Sequence, residues 1–107
     1  MKRYGQVIRV KPERYEAYRE YHRNVWPEIV ELGRRCNIRN QTIFHRDGLL
    51  FRYFEYTGDD YEGDMAIAAS DPRNQAWWEL MQPMQEPLES CAEGEWWADM
   101  EGLVHTE

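Results

Sequence analysis

RNQTIFHRDGLLFRYFEY, residues 39–56, consists of two runs rich in β-branched and aromatic residues joined by Asp47-Gly48. An Asp-Gly pair between such runs is a strong hairpin signal, because a two-residue turn needs positive φ at both central positions. The sequence therefore predicts strands over residues 39–46 and 49–56. Upstream, residues 3–10 (RYGQVIRV) carry Val7, Ile8 and Val10 among polar side chains and read as a first strand. Downstream, residues 98–105 (ADMEGLVH) read as a weaker last strand.

Helices fill the two gaps. Lys11-Pro12-Glu13 opens the first, with Pro12 suited to the first turn and Glu13 to the positive end of the helix dipole. Tyr15, Tyr18, His22 and Val25 then follow three- and four-residue spacing. Pro27 biases Trp26 out of the helical region, so the helix breaks near Asn24 and restarts at Pro27-Glu28, running to about Arg35 with Ile29 and Leu32 inward. Asp59 or Asp60 caps a helix through residues 65–69. Asp71-Pro72 is a second cap-plus-N1 signature, for a helix through Trp77, Trp78 and Met81 that Pro83 and Pro87 end in a loop.

The resulting order, β-α-β-β-α-β with split helices, predicts an α+β chain of the ferredoxin-like type: an antiparallel sheet with helices on one face. At 107 residues it reads as a single domain, residues 1–107. Its other sheet face needs a cover, and a second copy pairing sheet to sheet, a homodimer forming a dimeric α+β barrel, is the expected one.

Composition excludes several classes. Twenty acidic against thirteen basic residues give a net charge of −7, which repels a phosphate backbone, and Arg34, Arg35 and Arg39 are a weak basic cluster. No apolar run is long enough to span a membrane, and Met1-Lys2-Arg3 is not followed by an apolar signal region, so no membrane partner is expected. Cys36 and Cys91 are far apart with no CxxC, which predicts free thiols in a reducing cytoplasm.

The remaining signal is aromatic. Five Trp and seven Tyr exceed the needs of a small core, and neighbours on a helix lie about 100° apart, so Trp77-Trp78 cannot both point into one core. An indole face beside an N–H donor suits the mixed C–H and hydroxyl surface of a sugar. Trp77 and Trp78 thus read as sugar-binding residues or as one core and one interface residue. For Trp96-Trp97, beside the last strand, the structural reading is preferred. Tyr18 and His22, four apart, share one side of their helix. They form either an acid–base group with its partner or a helix-end hydrogen bond beside a packed ring. His22, His45 and His105 lack ligand spacing, and the scattered glycines form no phosphate loop, so neither a metal nor a cofactor is expected.

The motifs YxxxHxxxWPE (Tyr18, His22, Trp26-Pro27-Glu28), RNxxIF from Arg39 to Phe44, and WW after Asp71-Pro72 resemble those of the L-rhamnose mutarotase family over nearly the whole chain. That resemblance implies small cytoplasmic ferredoxin-like dimers that interconvert the α and β anomers of 6-deoxy-L-hexoses. Carried over by position, it makes His22 the proton donor and Tyr18, Trp77 and Trp78 substrate-binding residues. At Gln41 the rhamnose-acting members carry a substrate-contacting Tyr. The exchange of a phenol for an amide, with a tail (residues 85–105) similar to that of fucose-acting relatives, points to L-fucose over L-rhamnose. The rival expectations are an L-rhamnose mutarotase, a cofactor-free ferredoxin-like monooxygenase and a non-catalytic sugar-binding module.

Overall fold

A computed structural model describes all 107 residues, and the hairpin forms where the sequence predicts it. Strands β2 (Ile38–Arg46) and β3 (Leu49–Tyr56) pair antiparallel across Asp47 and Gly48, whose φ values of 52° and 79° are those the tight turn demands. β1 (Lys2–Val10) pairs antiparallel with β3 through eight residue pairs, from Lys2 opposite Tyr56 to Arg9 opposite Leu49. The sheet order is β2-β3-β1-β4, with β4 (Gln85–Glu86) and β5 (Ala98–Met100) sharing the outer edge of β1. This is the ferredoxin-like order with its last strand cut in two by residues 87–97.

Two expectations need correction. Residues 85–86 pair with β1 rather than lying in a loop, because Met84 is buried and delivers the backbone of the next two residues to the open edge of Arg9 and Val10. The last strand stops at Met100 instead of continuing to His105. Beyond it Leu103 and Val104 are almost fully exposed, with no apolar surface of this chain beneath them.

Four helices complete the chain: α1 (Tyr15–Arg23), α2 (Pro27–Arg35), α3 (Tyr61–Ser70) and α4 (Pro72–Met81). α1 ends one residue before Asn24, and Pro27 supplies the first residue of α2, as the sequence predicts. Asp60 caps α3 by accepting from the Gly63 N–H, and Asp71 caps α4 by accepting from the N–H groups of Arg73 and Asn74. The buried Asn74 side chain donates to the Ala68 carbonyl at 2.9 Å and locks the corner between these helices. At the far end of the sheet, the Tyr56 hydroxyl donates to Asp64, which also accepts from Asn37 Nδ2 at 3.0 Å. Burial and that carboxylate push the Tyr56 phenol up to about 12.

Alternation along β1 and β3 divides the sheet into two faces. Ile8, Val10 and Leu50 meet Tyr18, Trp77, Met81 and Met84 in the core under the helices. Farther along the same face, Gln6 lies opposite Arg52. On the opposite face, Val7 pairs with Phe51 and Phe51 with Phe44, and Phe44 is 64% and Met100 42% exposed.

One irregularity matters for function. Between Arg39 and Thr42, β2 carries one residue more than β3, and Asn40 adopts a φ of 53°. Asn40 Nδ2 is held by Glu55 Oε1 at 2.8 Å, and Glu55 Oε2 accepts from the Tyr53 hydroxyl at 2.7 Å. The bulge keeps Gln41 in phase with Ile43, on the face that carries Arg52.

The Asp71 cap starts the helix that holds both Trp77 and Trp78. Asp71→Ala is expected to cost about 1 kcal/mol, a fall in melting temperature of roughly 4–8 °C for a chain of this size, measured by thermal unfolding followed by circular dichroism.

Candidate active site

The sheet face carrying Gln6 and Arg52 is roofed by α1 and α4, which leaves a cleft of about 380 Å³. Every candidate from the sequence lines it: Tyr18 and His22 from α1, Trp77 and Trp78 from α4, and Gln41 at its exposed rim. A larger hollow of about 510 Å³ beside the hairpin turn is walled mainly by surface charges such as Arg9, Lys11, Asp47 and Glu86, and contains none of these residues. The smaller, more aromatic cleft is the candidate active site.

His22 is fixed by three contacts. Its ring stacks on Tyr18 with centroids 4.2 Å apart, and Trp77 meets it edge-on at 5.6 Å. Its Nδ1 lies 2.8 Å from the Tyr18 carbonyl oxygen. A carbonyl only accepts, so Nδ1 carries the hydrogen and Nε2 keeps its lone pair. Burial pushes the imidazole below its ordinary value and outweighs the carbonyl bond, which acts the other way. At neutral pH the ring is therefore uncharged, with Nε2 as an acceptor.

Tyr18 is 3% exposed, and its hydroxyl accepts from Gln85 Nε2 at 3.0 Å. Gln85 Oε1 in turn accepts from Trp96 Nε1 at 2.7 Å. The indole N–H only donates, so it fixes which way the Gln85 amide faces, and the amide then occupies a lone pair of the phenol. The Tyr18 O–H proton remains available to a ligand. Burial pushes the phenol above its ordinary value, so it stays protonated and acts as a donor.

The two tryptophans of α4 divide as helix geometry requires. Trp77 is 7% exposed and makes edge contacts with Tyr21, His22 and Trp26, while Trp78 is 39% exposed at the cleft mouth. Trp96 and Trp97 have a wider role than the purely structural one expected. Trp96 carries the bond to Gln85, but both also line the cleft, because the segment between β4 and β5 folds over it. Gln6, Arg52 and Gln85 were not legible as site residues. Their only signal was an unexplained polar residue at an inward position of a strand or loop. His45 stands apart, stacked on Tyr15 and accepting from the Gly48 N–H, and no three His, Cys, Asp or Glu side chains converge. Cys36 and Cys91 are free thiols, and no helix is long and apolar enough to cross a membrane.

The family model described as L-rhamnose mutarotase matches residues 3–106. This chain belongs to the L-rhamnose mutarotase family. The L-rhamnose mutarotase of Oceanobacillus iheyensis is 31% identical over 88 residues, covering 80% of this chain and 82% of that protein. The L-fucose mutarotase of Xanthomonas campestris is 37% identical over 86 residues, covering 77% and 68%. In three dimensions, the crystal structure of an L-rhamnose mutarotase from Formosa agariphila superposes over the full length of both chains, with a TM-score of 0.77 at 19% identity. That agreement bears on the ferredoxin-like fold.

The depressed His22 value has a direct readout. In a proton NMR titration, the His22 ring resonances should move with a midpoint below 6.5. Since the unfolded chain takes up that proton first, stability declines as pH falls from about 6.5 toward the folded midpoint. A midpoint at or above 6.5 contradicts burial outweighing the carbonyl bond at His22.

Proposed function

We propose that this protein is a cofactor-free mutarotase that interconverts the α and β anomers of a 6-deoxy-L-hexose, with L-fucose preferred over L-rhamnose. The observation that carries the mechanism is the 2.8 Å bond from His22 Nδ1 to the Tyr18 carbonyl, which leaves Nε2 as a proton acceptor inside an indole-walled cleft. His22 Nε2 takes the proton of the anomeric hydroxyl. The C1–O5 bond breaks with its electron pair moving to the ring oxygen, and a C1 aldehyde forms. The imidazolium returns its proton to the former ring oxygen, which shared C1 with the deprotonated hydroxyl until that bond broke and so remains within reach of the same imidazole. Rotation about C1–C2 and reclosure by the reverse steps give the other anomer.

Tyr18 serves as a hydrogen-bond donor rather than a base, since its phenol is held protonated by burial. Trp77 and Trp78 hold the C–H face of the sugar. Gln41 at the rim meets a ring hydroxyl with a short amide instead of a phenol. Together with the 37% identity to an L-fucose mutarotase, this supports the L-fucose preference. The two free thiols agree with a cytoplasmic setting.

Saturation-difference proton NMR of anomer exchange on L-fucose and L-rhamnose, side by side, tests the reading. The wild-type protein should accelerate both, L-fucose more. His22→Ala should lose about 10²–10⁴-fold, the usual yield of general acid–base catalysis, with its circular dichroism unchanged. Near-wild-type exchange in a folded His22→Ala protein overturns the role of His22. Faster exchange of L-rhamnose overturns the sugar preference, and no acceleration of either overturns the mutarotase reading.

The protein acts as a homodimer joined through the open sheet face. Phe44 and Met100, both exposed, with the half-buried Phe51, give that face an apolar patch that a second copy matches by two-fold symmetry. Light scattering should give twice the chain mass, and Phe44→Asp should halve it. A wild-type monomer overturns the dimer.

A further inference from the structure

The floor of the cleft holds a cation that no carboxylate pairs directly; the acidic group that acts on it from nearby is Asp99, whose Oδ1 is taken by Gln6. Arg52 projects from β3 toward the helices, flanked by Gln6 on β1 and Ile43 on β2. Its Nε is closed off from solvent and has no hydrogen-bond partner. The ion pairs of the chain all lie elsewhere, from Arg19–Glu16 to Arg73–Glu28, and none includes Arg52. The guanidinium is supported instead by aromatic faces, 4.8 Å from the Phe54 centroid and 5.2 Å from that of Trp97. Aromatic faces stabilise a cation without neutralising it. A buried arginine is ordinarily paired; this one lines the cleft with no carboxylate within ion-pair distance and with its Nε unpartnered.

Beside it stands a matching acceptor. Gln6 Nε2 donates to Asp99 Oδ1 at 2.8 Å, which fixes the amide, and Gln6 Oε1 is then buried with no donor. Each unsatisfied group is costly to bury unless something completes it. A ligand with a hydroxyl beside an oxygen that gains negative charge completes both, the hydroxyl donating to Gln6 and the charged oxygen accepting from Arg52.

We infer that Arg52 contacts the oxygens on the anomeric carbon and stabilises the negative charge that ring opening places on them, with Gln6 Oε1 accepting from a neighbouring ring hydroxyl so that the anomeric proton stays free for His22 Nε2. This rests on the mutarotase reading and adds to it the electrostatic partner of His22. As His22 Nε2 removes the hydroxyl proton and the C1–O5 electron pair moves to the ring oxygen, charge develops before the imidazolium returns the proton. A guanidinium does not give up its own proton, so it stabilises that charge without quenching it. The same chemistry predicts a ligand class: aldonates of the same sugars, whose C1 carboxylate presents two oxygens and one negative charge on that carbon.

Two measurements test this independently. Tryptophan fluorescence titration of the wild-type protein should show L-fuconate binding at least about tenfold more tightly than L-fucose, since analogues of a charged transition state bind more tightly than substrate. In exchange kinetics, Arg52→Gln should lower kcat by about 10²-fold with KM within about threefold, and should lose the aldonate preference. Arg52→Lys should fall between, keeping the charge but not the planar fork. Circular dichroism confirms that each variant is folded. If Arg52→Gln does not fold, the wild-type titration alone decides. L-fuconate bound no more tightly than L-fucose, or wild-type kcat in a folded Arg52→Gln protein, overturns the inference. Absence of exchange in the wild-type protein overturns the mutarotase reading instead, while aldonate binding still reports on the cation.

Discussion

The pairing of β1 with β3 is the constraint on which the rest of this molecule depends. Eight consecutive pairs put these strands side by side at the centre of the sheet, and the two-residue period of a strand does the rest. On one face, Ile8 opposite Leu50 anchors the core, and two residues farther along Gln6 opposite Arg52 makes the cleft floor. A slip of one residue would turn both to the other face. Core and site are therefore not separately specified: the same register buries one end of the face in hydrocarbon and leaves the other polar under a roof of aromatic rings.

The roof depends on contacts distant in sequence. The Tyr18 hydroxyl is held by Gln85, 67 positions away, and Gln85 is held by Trp96. The chain that returns along the edge of β1 as β4 and β5 thus also sets the proton arrangement of a phenol on α1. His22 is prepared more locally, by a carbonyl one turn earlier and by the edge of Trp77. Burial governs both groups and pushes them in opposite directions, the imidazole down and the phenol up. The cleft consequently offers one neutral acceptor and one protonated donor from the same helix turn, an arrangement suited to moving protons between neighbouring oxygens of an uncharged ligand.

Much of this was readable along the chain because its causes are local. Asp47-Gly48 makes its turn through the conformational freedom of two residues, and Asp60 and Asp71 cap helices through bonds to N–H groups two or three positions away. Pro27 ends one helix and starts the next by sterics alone. The four-residue spacing of Tyr18 and His22 was enough to put them on one face of α1, while Val25 lies past the end of that helix. The features that escaped are those whose cause lies on another strand. β4 is two residues long and exists because the edge of β1 is open beside it. The bulge that aims Gln41 is pinned by Glu55, fifteen positions away.

The sequence by itself determined the ferredoxin-like order of elements with their turns and caps, because propensity, periodicity and capping act within a few residues; the five residues that line the cleft were named by resemblance to the family's motifs, Gln41 by that resemblance alone. Only the tertiary structure decided where the last strand stops, that Trp96 and Trp97 turn toward the cleft, and that Gln6 and Arg52 face each other beneath it. Those outcomes depend on which backbone edge is free and which polar atom is shut off from water. Both are properties of elements brought together from distant parts of the chain, and no window of sequence contains them.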